Sequence, residues 1–197
     1  MAAGLLICFE GLDQSGKQTQ AERLRDTLTA AGRRVRLLSF PDYATSIGQE
    51  IGRALRGERE YGPDVMQLLY VANRYEWKAD ILRERDAGAV IVCDRYLASS
   101  IAYGEAQGLD PAWLLDMQKH LPQPDLTFLL DIAPEVSAQR KTADRDKYER
   151  DLLLLARVRA SYLRQSTAPG WLRLDAGRDR EAVAQDVTAT VTARLAP

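Results

Sequence analysis

A short apolar run, Leu5 to Phe9, leads into G-L-D-Q-S-G-K-Q-T at Gly11 to Thr19, and this junction constrains the chain more than any other stretch. A buried strand, a G-x-x-x-x-G-K loop and a helix-compatible segment, arriving in that order, can wrap backbone N–H groups around polyphosphate oxygens. The glycines permit the wrap, because a Cβ would obstruct the backbone's approach to an anion. Lys17 can then reach the β- and γ-phosphates. In the commonest form of this loop a Ser or Thr follows the lysine and its hydroxyl touches Mg²⁺. Here Gln18 takes that place, and a hydroxyl comes only at Thr19. Taken alone, the pattern also fits a Gly-rich turn that merely joins a strand to a helix.

Short apolar runs alternate with longer helical patterns along the whole chain. Leu5–Phe9, Val35–Phe40, Ala89–Cys93, Leu126–Ile132 and Trp171–Leu174 read as strands. Lys17–Ala30 places Ala21, Leu24 and Leu28 on one helical face, with Gly32 as a stop. Asp64 is the expected cap of a long segment from Val65 to near Gly88, and further helices fit Ala112–Lys119, Pro134–Arg140, Glu149–Gln165 and Glu181–Arg194. Continuous apolar strands separated by helices predict an α/β fold with a mainly parallel sheet covered on both faces. No repeat or linker divides the chain, so residues 1–197 are expected to form a single domain. In such a sheet ligands sit at the strands' carboxyl ends, which puts Phe40, Asp94 and the phosphate loop on one rim.

The charge balance, 27 basic against 28 acidic residues, gives no broad cationic field of the kind duplex nucleic acid binders use. A small anion is the expected partner, with no nucleic acid and no membrane. No apolar stretch is long enough to span a bilayer and no basic region precedes the short N-terminal run, so a cytoplasmic location is expected. Cys8 and Cys93 sit inside strand-like runs, where a thiol behaves as a small buried hydrophobe.

Three further groupings could carry chemistry. Asp94-Arg95-Tyr96 leaves a strand at the functional edge. An arginine there offers a planar fork for phosphate oxygens, and the aspartate can organise Mg²⁺ or its waters; a structural Asp–Arg pair ending a strand is the plainer reading. Tyr70 and Arg74 lie one helical turn apart, an aromatic plane and a forked donor that suit a nucleobase, although core packing and a surface arginine would leave the same pattern. K-T-A-D-R-D-K-Y-E at Lys141–Glu149, with Arg140 before it, could be solvated surface or a lid that closes on polyphosphate. Ser99, Ser100 and Tyr103 share a helical neighbourhood after Asp94, and the sole histidine, His120, has no expected role.

F-E-G-L-D-Q-S-G-K-Q-T-Q at Phe9–Gln20, F-P at Phe40–Pro41, A-N-R at Ala72–Arg74 and D-R-Y-L-A-S-S at Asp94–Ser100 together resemble the thymidylate kinase family. P-D-L-T-F-L-L-D at Pro124–Asp131 and K-Y-E at Lys147–Glu149 extend the likeness over nearly the whole chain. The resemblance implies the P-loop nucleoside monophosphate kinase fold, a five-stranded parallel sheet flanked by helices with a short lid at about 140–149 and an acceptor-binding region at about 40–75. It implies transfer of the γ-phosphoryl group of ATP to dTMP, giving dTDP and ADP, with Mg²⁺, usually in a homodimer.

By matching position, Gly11, Leu12, Asp13, Gln14, Ser15, Gly16, Lys17, Gln18 and Thr19 would bind ATP. Asp13 would contact the deoxyribose 3′-hydroxyl or help organise the acceptor and metal region. Tyr70 would stack on thymine where relatives often have phenylalanine, Arg74 would bond the base, and Ser100 would lie near its Watson–Crick edge. Tyr103 would crowd the sugar's 2′ position, Arg95 and Tyr43 would hold the acceptor phosphate, and Phe40 and Ser99 complete the dTMP set. Lys17, Arg95, Arg140 and Arg145 are the catalytic candidates, and Asp94 the metal candidate, acting through water. Gln14 stands where some relatives carry arginine, which shifts the expected catalytic cation to the lid. Relatives without a hydroxyl at the Gln18 position exist. The alternatives are another nucleotide or nucleoside kinase on this fold and a non-catalytic P-loop module. A transition-state arginine in related chemistry contributes roughly 10³ to 10⁵ in rate. Arg145→Ala is therefore expected to lower kcat far more than it weakens dTMP binding, measured by steady-state kinetics and calorimetry; unchanged turnover would reject that assignment and point to Arg140.

Overall fold

The computed structural model describes residues 4–140 and 151–195. The expected positions Lys141, Arg145 and Lys147–Glu149 lie outside the described residues. The strands are β1 (Leu6–Glu10), β2 (Val35–Ser39), β3 (Val90–Asp94), β4 (Leu126–Asp131) and β5 (Trp171–Asp175). They form one parallel sheet in the order β2-β3-β1-β4-β5. β1 and β4 are buried along their whole length and β3 up to its last residue, as expected for strands covered on both faces, while the edge strands β2 and β5 keep exposed positions.

Among the described residues the helices are α1 (Lys17–Ala30), α2 (Ser46–Leu55), α3 (Pro63–Glu76), α4 (Lys78–Asp86), α5 (Leu97–Ala106), α6 (Pro111–Gln118), α7 (Pro134–Arg140), α8 (Leu152–Gln165) and α9 (Arg180–Leu195). Strand alternation sends Ile7, Phe9, Val90, Val92 and Phe128 into one cluster with Ala21 and Leu24 of α1 and Val183 and Val187 of α9. Leu6, Cys8, Ile91 and Cys93 point the other way, against Val71 of α3, Ile81 of α4 and Leu97 of α5. Each large apolar side chain so buried contributes about 1.5–3 kcal/mol, so the two faces together hold the sheet in place.

Several expectations need correction. The segment from Val65 to Gly88 is two helices meeting at Trp77, which ends α3 and begins α4. Asp64 does not cap α3. Gly62 is the cap residue and Pro63 starts the helix, a position that suits proline because it needs no N–H there. Asp64 instead accepts from Val65 N at 2.9 Å. Asp94 ends β3 rather than following it, in register with Phe9 and Ser39. Helix α2 has no counterpart in the sequence reading: Gly48 and Gly52 lower its helix propensity, although Ile47, Ile51, Ala54 and Leu55 recur on one helical face.

Those glycines have a packing reason. Phe40 and Pro41 are joined by a cis peptide, and the loop that follows lies against α2 so closely that a Cβ on Gly48 would come within 1.7 Å of Asp42 O. Asn73 of α3 clamps the same loop. Its Oδ1 accepts from Asp42 N at 2.8 Å and its Nδ2 donates to Thr45 Oγ1 at 2.9 Å. Thr45 in turn caps α2 by accepting from Gly48 N at 3.0 Å. Gly48→Ala should therefore cost roughly 2–3 kcal/mol by overpacking against backbone that cannot yield. Urea unfolding would read this, and a variant within about 0.5 kcal/mol of the parent would show that loop and helix separate freely.

Candidate active site

The Gly11–Thr19 loop bends from β1 into α1 through three backbone positions with positive φ, Gly11, Gln14 and Gly16. Gly11 is required: a Cβ there would lie 2.5 Å from Leu130 O of the neighbouring strand β4. Lys17, the first residue of α1, is buried and donates from Nζ to Leu12 O at 2.8 Å, folding its ammonium back over the loop. The Ser15 hydroxyl is buried with no hydrogen-bond partner. Gln18 is directed along α1, donating from Nε2 to Glu22 Oε1 at 2.9 Å on the solvent side. Helix α7 braces the loop from outside, Ser137 Oγ donating to Asp13 O at 2.7 Å and Arg140 Nη1 to Gln14 O at 3.0 Å. Arg140 Nη2 also donates to Ala176 O at 3.0 Å, so this guanidinium is tied to backbone carbonyls beside the loop.

Arg95 leaves β3 with φ at +63°, a conformation uncommon outside glycine, and its N–H donates to Phe9 O at 2.9 Å. That bend turns its guanidinium across the sheet edge to the Asp13 carboxylate. Nη1 also reaches Gly11 O at 3.1 Å, Ser99 Oγ at 3.1 Å and Tyr162 OH at 3.2 Å. Tyr103 OH donates to the other Asp13 oxygen at 2.9 Å, and the Arg95 guanidinium lies 5.4 Å from the centre of the Tyr103 ring. Beneath this cluster the buried Glu10 accepts from Tyr96 N at 2.8 Å, Ser99 Oγ at 2.6 Å and Tyr162 OH at 3.1 Å, fixing the start of α5. Glu10 and Tyr162 were not among the sequence candidates. Glu10 sits in the F-E-G run and carried that much of a signal; nothing near Tyr162 in sequence connects it to the loop.

A cavity of about 110 Å³ opens beside the cluster. Asp13, Arg95, Ser99 and Tyr103 form one end of it. Tyr70, Arg74 and Ser100 line its interior, and Phe40 and Tyr43 come from the loop after β2. Thus all the residues expected to bind the acceptor line one cavity. Arg74 is buried, donating from Nη1 to Ser100 Oγ at 2.6 Å, while its Nε has no partner. Pro41, Leu55, Gln67 and Gln107 also line the cavity and were not anticipated. For Gln67 the signal was available, since it stands one turn before Tyr70 on the same face of α3.

The electrostatics suit an anion. Burial opposes ionisation of Asp13, but the charges of Arg95 and Lys17, with hydrogen bonds from Arg95 and Tyr103, hold its carboxyl well below the usual carboxylate range. Burial, and then the charge of Arg95, pull the Lys17 ammonium down to about 8, against the opposing pull of Asp13, Asp94 and Glu10. Asp94, the last residue of β3 and in register with Phe9 of β1, has a buried Oδ1 without a partner. Among the described residues no three His, Cys, Asp or Glu side chains converge. This donor set fits Mg²⁺, which keeps several waters and takes one or two carboxylates alongside phosphate oxygens.

The family model described as thymidylate kinase matches residues 9–187. Thymidylate kinase from Danio rerio is 33% identical over 186 residues, covering 93% of this chain and 88% of its own. The Homo sapiens enzyme is 32% identical with the same coverage of each, and that of Caenorhabditis elegans 40% identical over 70% of this chain and 67% of its own. The solved structure of thymidylate kinase from Candida albicans superimposes with a TM-score of 0.87 at 31% identity, over 98% of this chain and 93% of that one.

The position of Lys17 predicts a pH signature. Polyphosphate favours its charged form, so below about pH 8 binding needs no proton, and above it each complex must take one up. ATP affinity measured by calorimetry should fall about tenfold per pH unit above that point. Lys17→Arg, charged throughout this range, should flatten the profile, and a flat profile in the parent protein would assign the titration elsewhere.

Proposed function

The chain belongs to the thymidylate kinase family and is accordingly an enzyme that phosphorylates dTMP; we propose that ATP is the donor, that Mg²⁺ accompanies it, and that the rim cavity seats dTMP. The observation that carries the site assignment is the Asp13–Arg95–Tyr103 cluster. One of its members belongs to the phosphate loop and the other two line the cavity from β3's exit and α5, so donor and acceptor meet across a single set of bonds.

In this reading Tyr70 stacks on the base, Arg74 and Ser100 take its polar edge, and Arg95 with Tyr43 holds the 5′-phosphate. Ser99 supports Arg95 through its 3.1 Å contact, and Phe40 closes the cavity wall. Asp13, kept ionised by its neighbours, fixes Arg95 and accepts from the sugar hydroxyl. The loop from Gly11 to Thr19 holds the donor phosphates, and Lys17 exchanges its bond to Leu12 O for them. Transfer is then in-line, from the γ-phosphorus to an already anionic acceptor oxygen that needs no strong base. Positioning and charge neutralisation supply the rate. Arg140 adds positive charge beside Gln14, and Arg145, outside the described residues, is the second lid arginine of this proposal. Bound Mg²⁺ would lessen the charge on the donor phosphates, and Asp94 would hold it through water. A homodimer is supported by Val65 and Leu68 on α3 and Leu115 on α6, exposed apolar side chains on helices that contact each other. The site of action proposed is the cytoplasm.

A coupled assay that detects ADP, run with dTMP, dUMP, AMP and thymidine, tests the reading. Turnover should be fastest with dTMP and absent with thymidine, which lacks the accepting phosphate. ATP binding without turnover of dTMP would return the protein to the class of non-catalytic nucleotide-binding modules.

A further inference from the structure

Tyr162 stands on α8, the helix packed along α5, and is not among the residues that line the rim cavity. It is nevertheless buried, and its hydroxyl reaches three groups beneath the site. It accepts from Arg95 Nη1 at 3.2 Å, donates to Glu10 Oε2 at 3.1 Å and lies 2.8 Å from Ser99 Oγ. Its height against the sheet is set by Arg159, one helical turn earlier on α8. That guanidinium forks onto the Asp131 carboxylate at the end of β4, Nε to Oδ1 at 2.7 Å and Nη2 to Oδ2 at 3.1 Å.

The direction of these bonds follows from Glu10. Its carboxylate only accepts, and it takes Tyr96 N at 2.8 Å, Ser99 N at 3.3 Å, Ser99 Oγ at 2.6 Å and the Tyr162 hydroxyl. Each hydroxyl owns a single hydrogen. With both hydrogens turned to Glu10, the oxygens of Ser99 and Tyr162 present only lone pairs to Arg95. Burial, and then the Glu10 charge, push the Tyr162 phenol well above its usual range against the pull of Arg95, so it keeps the proton it donates. A guanidinium carries five N–H groups. The two on Nη1 are shared among Gly11 O, Ser99 Oγ and Tyr162 OH, and one on Nη2 goes to Asp13. Among the described residues none takes up Nε–H or the second N–H of Nη2, and these two are left for an anion. We propose that Tyr162 is a positioning residue for the acceptor phosphate: oriented by Glu10, its hydroxyl holds Nη1 to the protein and so fixes which N–H groups of Arg95 the nucleotide's 5′-phosphate meets. This rests on the dTMP kinase reading, in which Arg95 holds that phosphate. Helix α8 thereby acts on the acceptor without touching it.

Two variants test this, each checked for folding by its melting curve. Tyr162→Phe keeps the buried ring and removes only the hydroxyl. Glu10→Gln keeps an acceptor for the two backbone N–H groups but turns an amide donor toward the two hydroxyls, reversing their hydrogens. Calorimetry measures dTMP and ATP, and thymidine is measured as a competitor of dTMP. In Tyr162→Phe the affinity for dTMP should fall about tenfold, as for a lost hydrogen bond to a charged group, and KM for dTMP should rise with it, while thymidine and ATP change by less than about twofold. Thymidine is the discriminating ligand, because it fills the same cavity without a phosphate. Glu10→Gln should show the same selective loss. If Tyr162 serves the fold alone, its variant melts lower but binds dTMP as the parent does, or loses dTMP and thymidine equally; either result would overturn the inference. So would a loss for ATP as large as that for dTMP, or a folded Glu10→Gln protein with unchanged dTMP affinity. Failure of the parent protein to bind dTMP at all would tell against the proposed function instead.

Discussion

A partly buried carboxylate paired with a partly buried guanidinium, Asp13 with Arg95, is the interaction on which the site depends. Burying either ion alone would be expensive, so each requires the other, and both are further satisfied by Tyr103, Ser99, Gly11 O and Tyr162. Asp13 belongs to the loop after β1 and Arg95 to the exit of β3, two strands that are neighbours in the sheet. The pair therefore ties the mouth of the phosphate loop to the head of the acceptor cavity. Its strained partner geometry, Arg95 in a left-handed backbone conformation, is the local cost of turning that side chain across the rim.

The layers around this pair serve its position. Glu10 holds the first turn of α5 and, through Ser99 and Tyr162, the underside of Arg95. Helix α7 holds the phosphate loop by its carbonyls, leaving the loop's N–H groups to face an anion. Lys17 is kept near its titration point by burial beside another cation, so a bound polyphosphate restores the charge that the fold suppresses. The rim cavity follows the same logic: Arg74 and Gln67 are buried with polar atoms unspent, which the proposed nucleotide would meet.

Legibility followed the range of the interactions. The strands and most helices were readable because a continuous apolar run or a 3.6-residue pattern is a local property, and every strand was found within a residue or two of its observed limits. Helix α2 was not, because its two glycines lower its local propensity, while the close approach of Asp42 O that Gly48 allows is a packing contact that the sequence does not display. The break at Trp77 was missed for the same reason. Its indole donates to Asp42 Oδ2 at 3.0 Å, a bond that anchors the junction of α3 and α4 to the loop after β2.

By itself the sequence determined the chemistry on offer: a glycine-bearing loop with a lysine, an Asp-Arg-Tyr exit from a strand, an aromatic and an arginine one turn apart. It also determined an alternating strand and helix order that admits few folds. Only the tertiary structure decided which of these groups meet. The parallel order β2-β3-β1-β4-β5 brings residues more than eighty positions apart within hydrogen-bonding distance at one rim, and the packing of α3 on α5 strands an amide in the cavity. The reason is physical: composition and spacing fix which bonds a side chain is able to make, but whether a buried polar atom is satisfied depends on what the rest of the chain places beside it.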